Sequence, residues 1–146
     1  MRERPEWDAY FLDIAEAVSK RSHDADTQVG CVIVSPDKRI LATGYNGFAA
    51  GMPDANLPDT RPDKYPFMVH AEANAVASSG RDLRGATCYC LLSPCNDCAK
   101  LLLAAGVKRL VCRVAYWNSD WEAVQDLLAM GGVEVLVRHE VDGGGR

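Results

Sequence analysis

Two short runs in this 146-residue chain bring chemistry-bearing side chains close together. His70 and Glu72 stand two residues apart at the front of an otherwise apolar, helix-favouring run, His70-Ala71-Glu72-Ala73-Asn74-Ala75-Val76. Cys95 and Cys98 form a C-x-x-C in Ser93-Pro94-Cys95-Asn96-Asp97-Cys98. A C-x-x-C that opens a helix in an α/β protein serves as a redox pair, as half of a structural zinc site or as half of a catalytic one. Zinc takes soft or borderline ligands, and three protein ligands in a tetrahedral site leave the fourth position to water. His70, Cys95 and Cys98 would make such an open site. Glu72 cannot comfortably join them from the same helical turn, but it can reach a water whose pKa zinc lowers from about 16 towards 7. Each run also has a plain structural reading. His70 alone is a helix-terminal histidine satisfied by backbone, and Glu72 a first-turn acid favoured by the helix dipole.

The elements around these runs must put them side by side. Trp7, Tyr10, Phe11, Ile14, Ala15 and Val18 recur at helical spacing, so the chain opens with an amphipathic helix. Residues 29–35 and 39–43 are β-branched runs joined by a turn at Pro36-Asp37-Lys38. After Gly44-Tyr45-Asn46-Gly47 the composition predicts a long polar surface loop to Pro66. Helix and strand patterns then alternate: helices over 70–79, 95–105 and 119–130, and strands over 86–92, 109–114 and 133–138. Gly106 and Gly131 stand where helix C-caps belong. The alternation predicts a three-layer α/β domain over residues 1–140, with helices on both faces of a central sheet and a fraying tail at 141–146. His70 and Cys95 each begin a helix, so two helix N-termini would face the metal and favour the thiolate forms of Cys95 and Cys98.

The composition narrows the partners. The length suits one domain that buries about two-thirds of its unfolded surface. A net charge of −4 without a basic run argues against binding nucleic acid, although one or two local cations suffice for a small phosphorylated ligand. No segment approaches the roughly 20 apolar residues of a membrane span, and the first residues lack the apolar stretch of a signal peptide. The expected compartment is the cytoplasm, where the six cysteines stay reduced. Cys88 and Cys90 share a strand face as small hydrophobes, Cys31 and Cys112 lie in apolar strands, and His23 and His139 are expected at the surface.

H-x-E followed by P-C-x-x-C is the signature of zinc nucleobase deaminases, in which the glutamate is the general acid/base and not a ligand. In this order, and each at a helix start, the two runs favour that reading over the plain ones. From about Trp7 to Val137 the chain resembles the deoxycytidylate (dCMP) deaminase family of the cytidine deaminase-like superfamily. The resemblance rests on Arg21-Ser22, Thr27-Gln28-Val29-Gly30, Gly44-Tyr45-Asn46-Gly47, Lys64-Tyr65-Pro66, the two metal runs through Lys100, Ala105-Gly106-Val107, Tyr116 and Ser119-Asp120.

It implies a cytidine deaminase-like αβα fold with a mixed sheet of about five strands. It also implies one catalytic Zn2+ on His70, Cys95 and Cys98, proton transfer by Glu72, and Mg2+ accompanying any nucleotide effector. Ala71 backbone would hold the pyrimidine and Asn46 the sugar, with Arg21, Thr27, Tyr116 and Lys64 as candidates for the phosphate and sugar pocket. Arg21 reads equally as a solvated helix-end cation, and Tyr116 as a sheet-edge packing residue. The implied reaction is hydrolysis of dCMP to dUMP and ammonia, and the implied assembly a homo-oligomer, dimer or hexamer. Two alternatives stay open: a related zinc deaminase acting on another nucleotide, nucleoside or base, and a non-catalytic zinc-stabilised interaction module, which needs a fourth protein ligand. The chain departs from effector-regulated members in continuing Gly47 as Phe48-Ala49-Ala50-Gly51-Met52-Pro53-Asp54. It also has no cysteine or histidine over 47–66 for the extra zinc site of some relatives.

Overall fold

The computed structural model describes residues 1–142. Helix α1 (Trp7–Ser19) is followed by strands β1 (Gly30–Val34) and β2 (Ile40–Tyr45) and a short strand β3 (Gly47–Phe48). After a loop containing one 3-10 turn (Asp54–Asn56) come β4 (Met68–Val69), α2 (Ala71–Ser79), β5 (Thr87–Leu92), α3 (Asn96–Ala104), β6 (Arg109–Trp117), α4 (Ser119–Met130) and β7 (Glu134–Asp142). The main sheet has the order β2-β1-β5-β6-β7. It is mixed: β1 runs antiparallel to β2 and β5, while β5, β6 and β7 are parallel.

The period-2 alternation of the central strands sends their side chains into two cores. Cys31, Ile33, Cys88, Cys90, Leu110 and Cys112 pack beneath α2, α3 and α4 with Ala71, Ala75, Ala99, Leu102, Trp121, Val124 and Leu128. Val32, Val34, Tyr89 and Val111 meet Phe11, Leu12 and Ala15 of α1 on the other face. The architecture is therefore three layers, αβα, the expected cytidine deaminase-like arrangement with a five-stranded mixed sheet. Helix α1 has no side-chain N-cap. A cap contributes about 1 kcal/mol, whereas burying Phe11 alone stabilises by roughly 2–3 kcal/mol, so packing rather than capping holds this helix.

Three details depart from the sequence pattern. The long loop is closed at its base, because Gly47 and Phe48 pair with Val69 and Met68. It also carries a buried residue, Lys64, which the polar composition did not suggest. At the end of α4, Gly131 is the C-cap as expected and packs its open Cα face against Leu103, while Gly132, at φ 73°, takes the left-handed conformation. Finally, β7 runs into the expected tail: Val141 and Asp142 pair with Tyr116 and Trp117, while the rest of that tail, residues 143–146, lies outside the described residues. No helix among the described residues is long and apolar enough to cross a membrane.

Close approach sets the position of α2. A Cβ on Gly44 would stand 2.3 Å from the Ala71 carbonyl oxygen and 2.5 Å from the Ala75 nitrogen, so only glycine in β2 lets α2 lie this near the sheet. Asn74 ties the same pair together, its Nδ2 donating to the Tyr45 carbonyl at 2.9 Å.

Candidate metal centre and substrate cavity

His70 and Cys95 each occupy the N-cap of a helix in extended backbone, at φ −68°, ψ 155° and φ −73°, ψ 170°. Neither side chain caps its own helix, which forgoes about 1 kcal/mol each relative to Ser or Asp. Both turn towards the same point. Nδ1 of His70 lies 3.4 Å from the Cys95 sulfur and 3.4 Å from the Cys98 sulfur, Cys98 being one turn into α3. The donor atoms all lie within 4.8 Å of one another, and among the described residues the cluster comprises these three. Hydrogen bonding from the Cys98 thiol, against the effect of burial and aided by the His70 ring, brings the Cys95 thiol down to about 4. An imidazole and two thiols, that of Cys95 acidified, at two helix N-termini are a donor set suited to zinc, with room in the tetrahedron for one more ligand.

Glu72 follows in the first turn of α2 and is fully buried. The Cys90 thiol of β5 donates to its Oε1 at 2.7 Å. Beside the cluster opens a cavity lined by His70 and Ala71, by Thr27, Val29 and Asn46, and by Asp24, Arg61, Lys64, Tyr65 and Met68. In its wall, Asn46 Oδ1 accepts from the Val29 amide at 2.8 Å and its Nδ2 donates to the Thr27 carbonyl at 2.8 Å.

The cations of the cavity differ in kind. Lys64 Nζ is buried between Asp24 (2.7 Å) and Asp26 (3.2 Å), so its charge is neutralised within the protein. Burial raises the Asp24 carboxyl, but the hydrogen bond from Lys64 and the Thr27 and Asp26 amides outweigh it, and the net shift is downward. Arg61 is exposed, donates from its guanidinium to Thr27 Oγ1 at 3.0 Å, and forms no ion pair among the described residues.

Residues 5–114 match the family model for the cytidine and deoxycytidylate deaminase zinc-binding region. The deoxycytidylate deaminase of Homo sapiens is 40% identical over 137 residues, covering 88% of this chain and 77% of that protein. The chain belongs to the deoxycytidylate deaminase family. The dCMP deaminase of cyanophage S-TIM5 has the same fold: its apo crystal structure superposes with a TM-score of 0.74 at 32% identity, over 95% of this chain and all of that one (100%). Its crystal structure in complex with dCMP and dUMP gives a TM-score of 0.75 at 30% identity, over 93% of this chain and 99% of that one.

In this deoxycytidylate deaminase family member the residues expected at the site separate into groups. His70, Cys95 and Cys98 converge, with Glu72 in the first turn of α2. Asn46, Ala71, Thr27 and Lys64 share the adjoining cavity. Arg21 and Tyr116 are not among its lining residues: Arg21 is exposed just beyond α1, and Tyr116 is half-buried near the end of β6. Arg61, Asp24 and Cys90 were not singled out by sequence. The first two stand in irregular loops with no periodic signal, and Cys90 reads as one more apolar strand residue until α2 is laid over β5. His23, expected at the surface, is half-buried and packs at a tilt of 45° against Phe48, with ring centroids 4.3 Å apart.

Proposed function

We propose that this protein catalyses the hydrolytic deamination of dCMP to dUMP and ammonia. The observation that carries the reading is the three-donor cluster beside buried Glu72, at a cavity that also carries an exposed guanidinium. The fold, the family and the dCMP and dUMP of the cyanophage complex support the substrate.

His70, Cys95 and Cys98 hold the zinc, which when bound supplies the Lewis acidity that brings water close to ionisation at neutral pH. Glu72 takes a proton from the water that adds to C4 of the cytosine and delivers it to ring N3, then takes the proton of the new C4 hydroxyl and passes it to the departing amine. The C4–N bond breaks, the carbonyl of uracil forms and ammonia leaves. Ala71 backbone faces the pyrimidine, and the buried Asn46 amide holds the wall on which the sugar rests. The 5′-phosphate falls to Arg61, because Lys64 is already neutralised by Asp24 and Asp26 and exists to fix the loop. Removing one partner of a buried pair of this kind costs about 3–5 kcal/mol. A non-catalytic zinc module would need a fourth protein donor, and among the described residues the cluster has three. The same reading carries a cytoplasmic homo-oligomer, dimer or hexamer, with Mg2+ accompanying any nucleotide effector. The cytoplasm is supported by six cysteines outside any disulfide.

Ammonia release over a panel of dCMP, deoxycytidine, cytosine and guanine tests the substrate. Turnover concentrated on dCMP is expected, and equal turnover of deoxycytidine would overturn the phosphate assignment. Arg61→Gln should then lower kcat/KM on dCMP by about tenfold or more, the worth of one charge-assisted contact, and leave residual activity on deoxycytidine unchanged. Equal loss on both would remove Arg61 from the phosphate end. The same comparison with Arg21→Gln decides whether that exposed residue takes part.

A further inference from the structure

We infer that Cys90 is a positioning residue for Glu72. Its thiol forms the floor that holds the carboxylate in the orientation proton transfer needs. Cys90 sits in the middle of β5 with Cys31 of β1 and Cys112 of β6 directly beside it in register, and all three are fully buried on the face beneath α2 and α3. Cys88 continues the layer, its sulfur 3.4 Å from that of Cys31. Cys90 reaches the working carboxylate, donating to Glu72 Oε1 at 2.7 Å.

The chemistry of that contact explains the residue. A valine of similar size would give α2 the same support but would set a methyl group against a buried carboxylate oxygen in place of this donor. A thiol fills the space as a hydrophobe would and still donates, weakly. A weak donor fixes a carboxylate without competing for the proton the carboxylate must carry. Outer partners that orient the working groups of metal sites typically matter by 10–100-fold, so loss of this one should be visible in turnover and not in binding.

This rests on the reading of Glu72 as the proton carrier, and the experiment separates the two. In the zinc-loaded protein, Cys90→Val is expected to lower kcat on dCMP about tenfold, with KM and zinc content unchanged, and Cys90→Ser to regain most of it. Cys88→Val, in the same sulfur layer but away from Glu72, should keep full kcat. The infrared S–H stretch provides a readout independent of turnover: one thiol band at the lowered frequency of a hydrogen-bonded S–H should disappear in Cys90→Val and move up in Glu72→Ala. The proposal is overturned by full kcat in Cys90→Val, by equal losses in Cys90→Ser and Cys90→Val, by an equal loss in Cys88→Val, or by the absence of the shifted band. If Glu72→Gln itself retains turnover, the role of Glu72 fails instead, whatever Cys90 does.

Discussion

Glu72 and His70 are separated by one alanine, and in the proposed reaction they do different work because of where the helix begins. As N-cap, His70 has extended backbone and throws its ring outward to the thiols of α3. Glu72 is already inside the first turn and buried, close to the metal donors without being one of them. Replacing Glu72 by Gln keeps the shape and removes the proposed proton carrier. Turnover should fall by about 10²–10⁴-fold, the range for loss of a general acid/base, while zinc measured by atomic absorption stays at the level of the unmodified protein. Retained turnover would mean that another group carries the proton. Cys95→Ser should behave in the opposite sense, with zinc and turnover lost together. Of this residue-level arrangement the metal runs were legible in sequence, because ligand chemistry fixes both residue type and spacing. The contact from Cys90 was not, since it depends on the distance between a helix and a strand that are far apart in the chain.

Elements position the site through two tight contacts of the sheet, one on each face. On the α2 face, Gly44 is the device. Gly44→Ala would drive a methyl into the Ala71 carbonyl and the Ala75 amide, where neither neighbour is a flexible side chain, so the helix that starts with His70 must lift. Overpacking of this kind costs about 1–3 kcal/mol. The variant should melt earlier and bind zinc less tightly, and an unchanged zinc affinity would show that α2 is placed by other means. On the α1 face, Arg109 of β6 holds Asp8 in a two-pronged pair, both contacts at 2.8 Å, and the Tyr89 hydroxyl donates to the same carboxylate at 2.7 Å. Hydrogen bonding from Arg109, with the Tyr89 contact adding, holds Asp8 down to about 2, against an ordinary 3.8. A carboxyl lowered on folding stabilises the fold above its unfolded pKa, and that contribution disappears as pH falls through the folded value. The pair should therefore contribute about 1–2 kcal/mol at neutral pH, after allowance for partial exposure. The contribution should be lost between about pH 4 and pH 2. Urea unfolding of Asp8→Asn should show a flatter pH dependence across that window, and parallel curves for the two proteins would exclude the linkage. The helix–strand alternation that builds these layers was plain in the sequence from residue 70 onward, because period 3.6 and period 2 differ sharply there. The loop before it was not, because burial of Lys64 follows from Asp24 and Asp26, two acids whose spacing in sequence carries no sign that they will meet it.

For the whole molecule, the question is how far the metal holds the fold. The core beneath α2, α3 and α4 is continuous from Val29 to Val133, and zinc would join only the N-termini of α2 and α3 at one rim of it. Small zinc fingers unfold without metal because they have no such core, and a chain this size does not share that dependence. A ligand present at 100 times its Kd stabilises by about 2.7 kcal/mol, and for a chain of this length each kcal/mol shifts Tm by roughly 2–4 °C. Chelation should therefore lower Tm by about 5–10 °C while leaving the far-UV circular dichroism of the helices intact. It should also make Cys95 and Cys98 reactive to a thiol reagent under native conditions. Cys31, Cys88, Cys90 and Cys112, all fully buried, should react only on global unfolding. Two fast thiols out of six, appearing on chelation and vanishing when zinc is restored, would place the metal on α2 and α3 at the rim of an independently stable core. Six fast thiols would mean that zinc holds the entire domain together, and an unchanged thiol count would mean that these cysteines do not hold it at all.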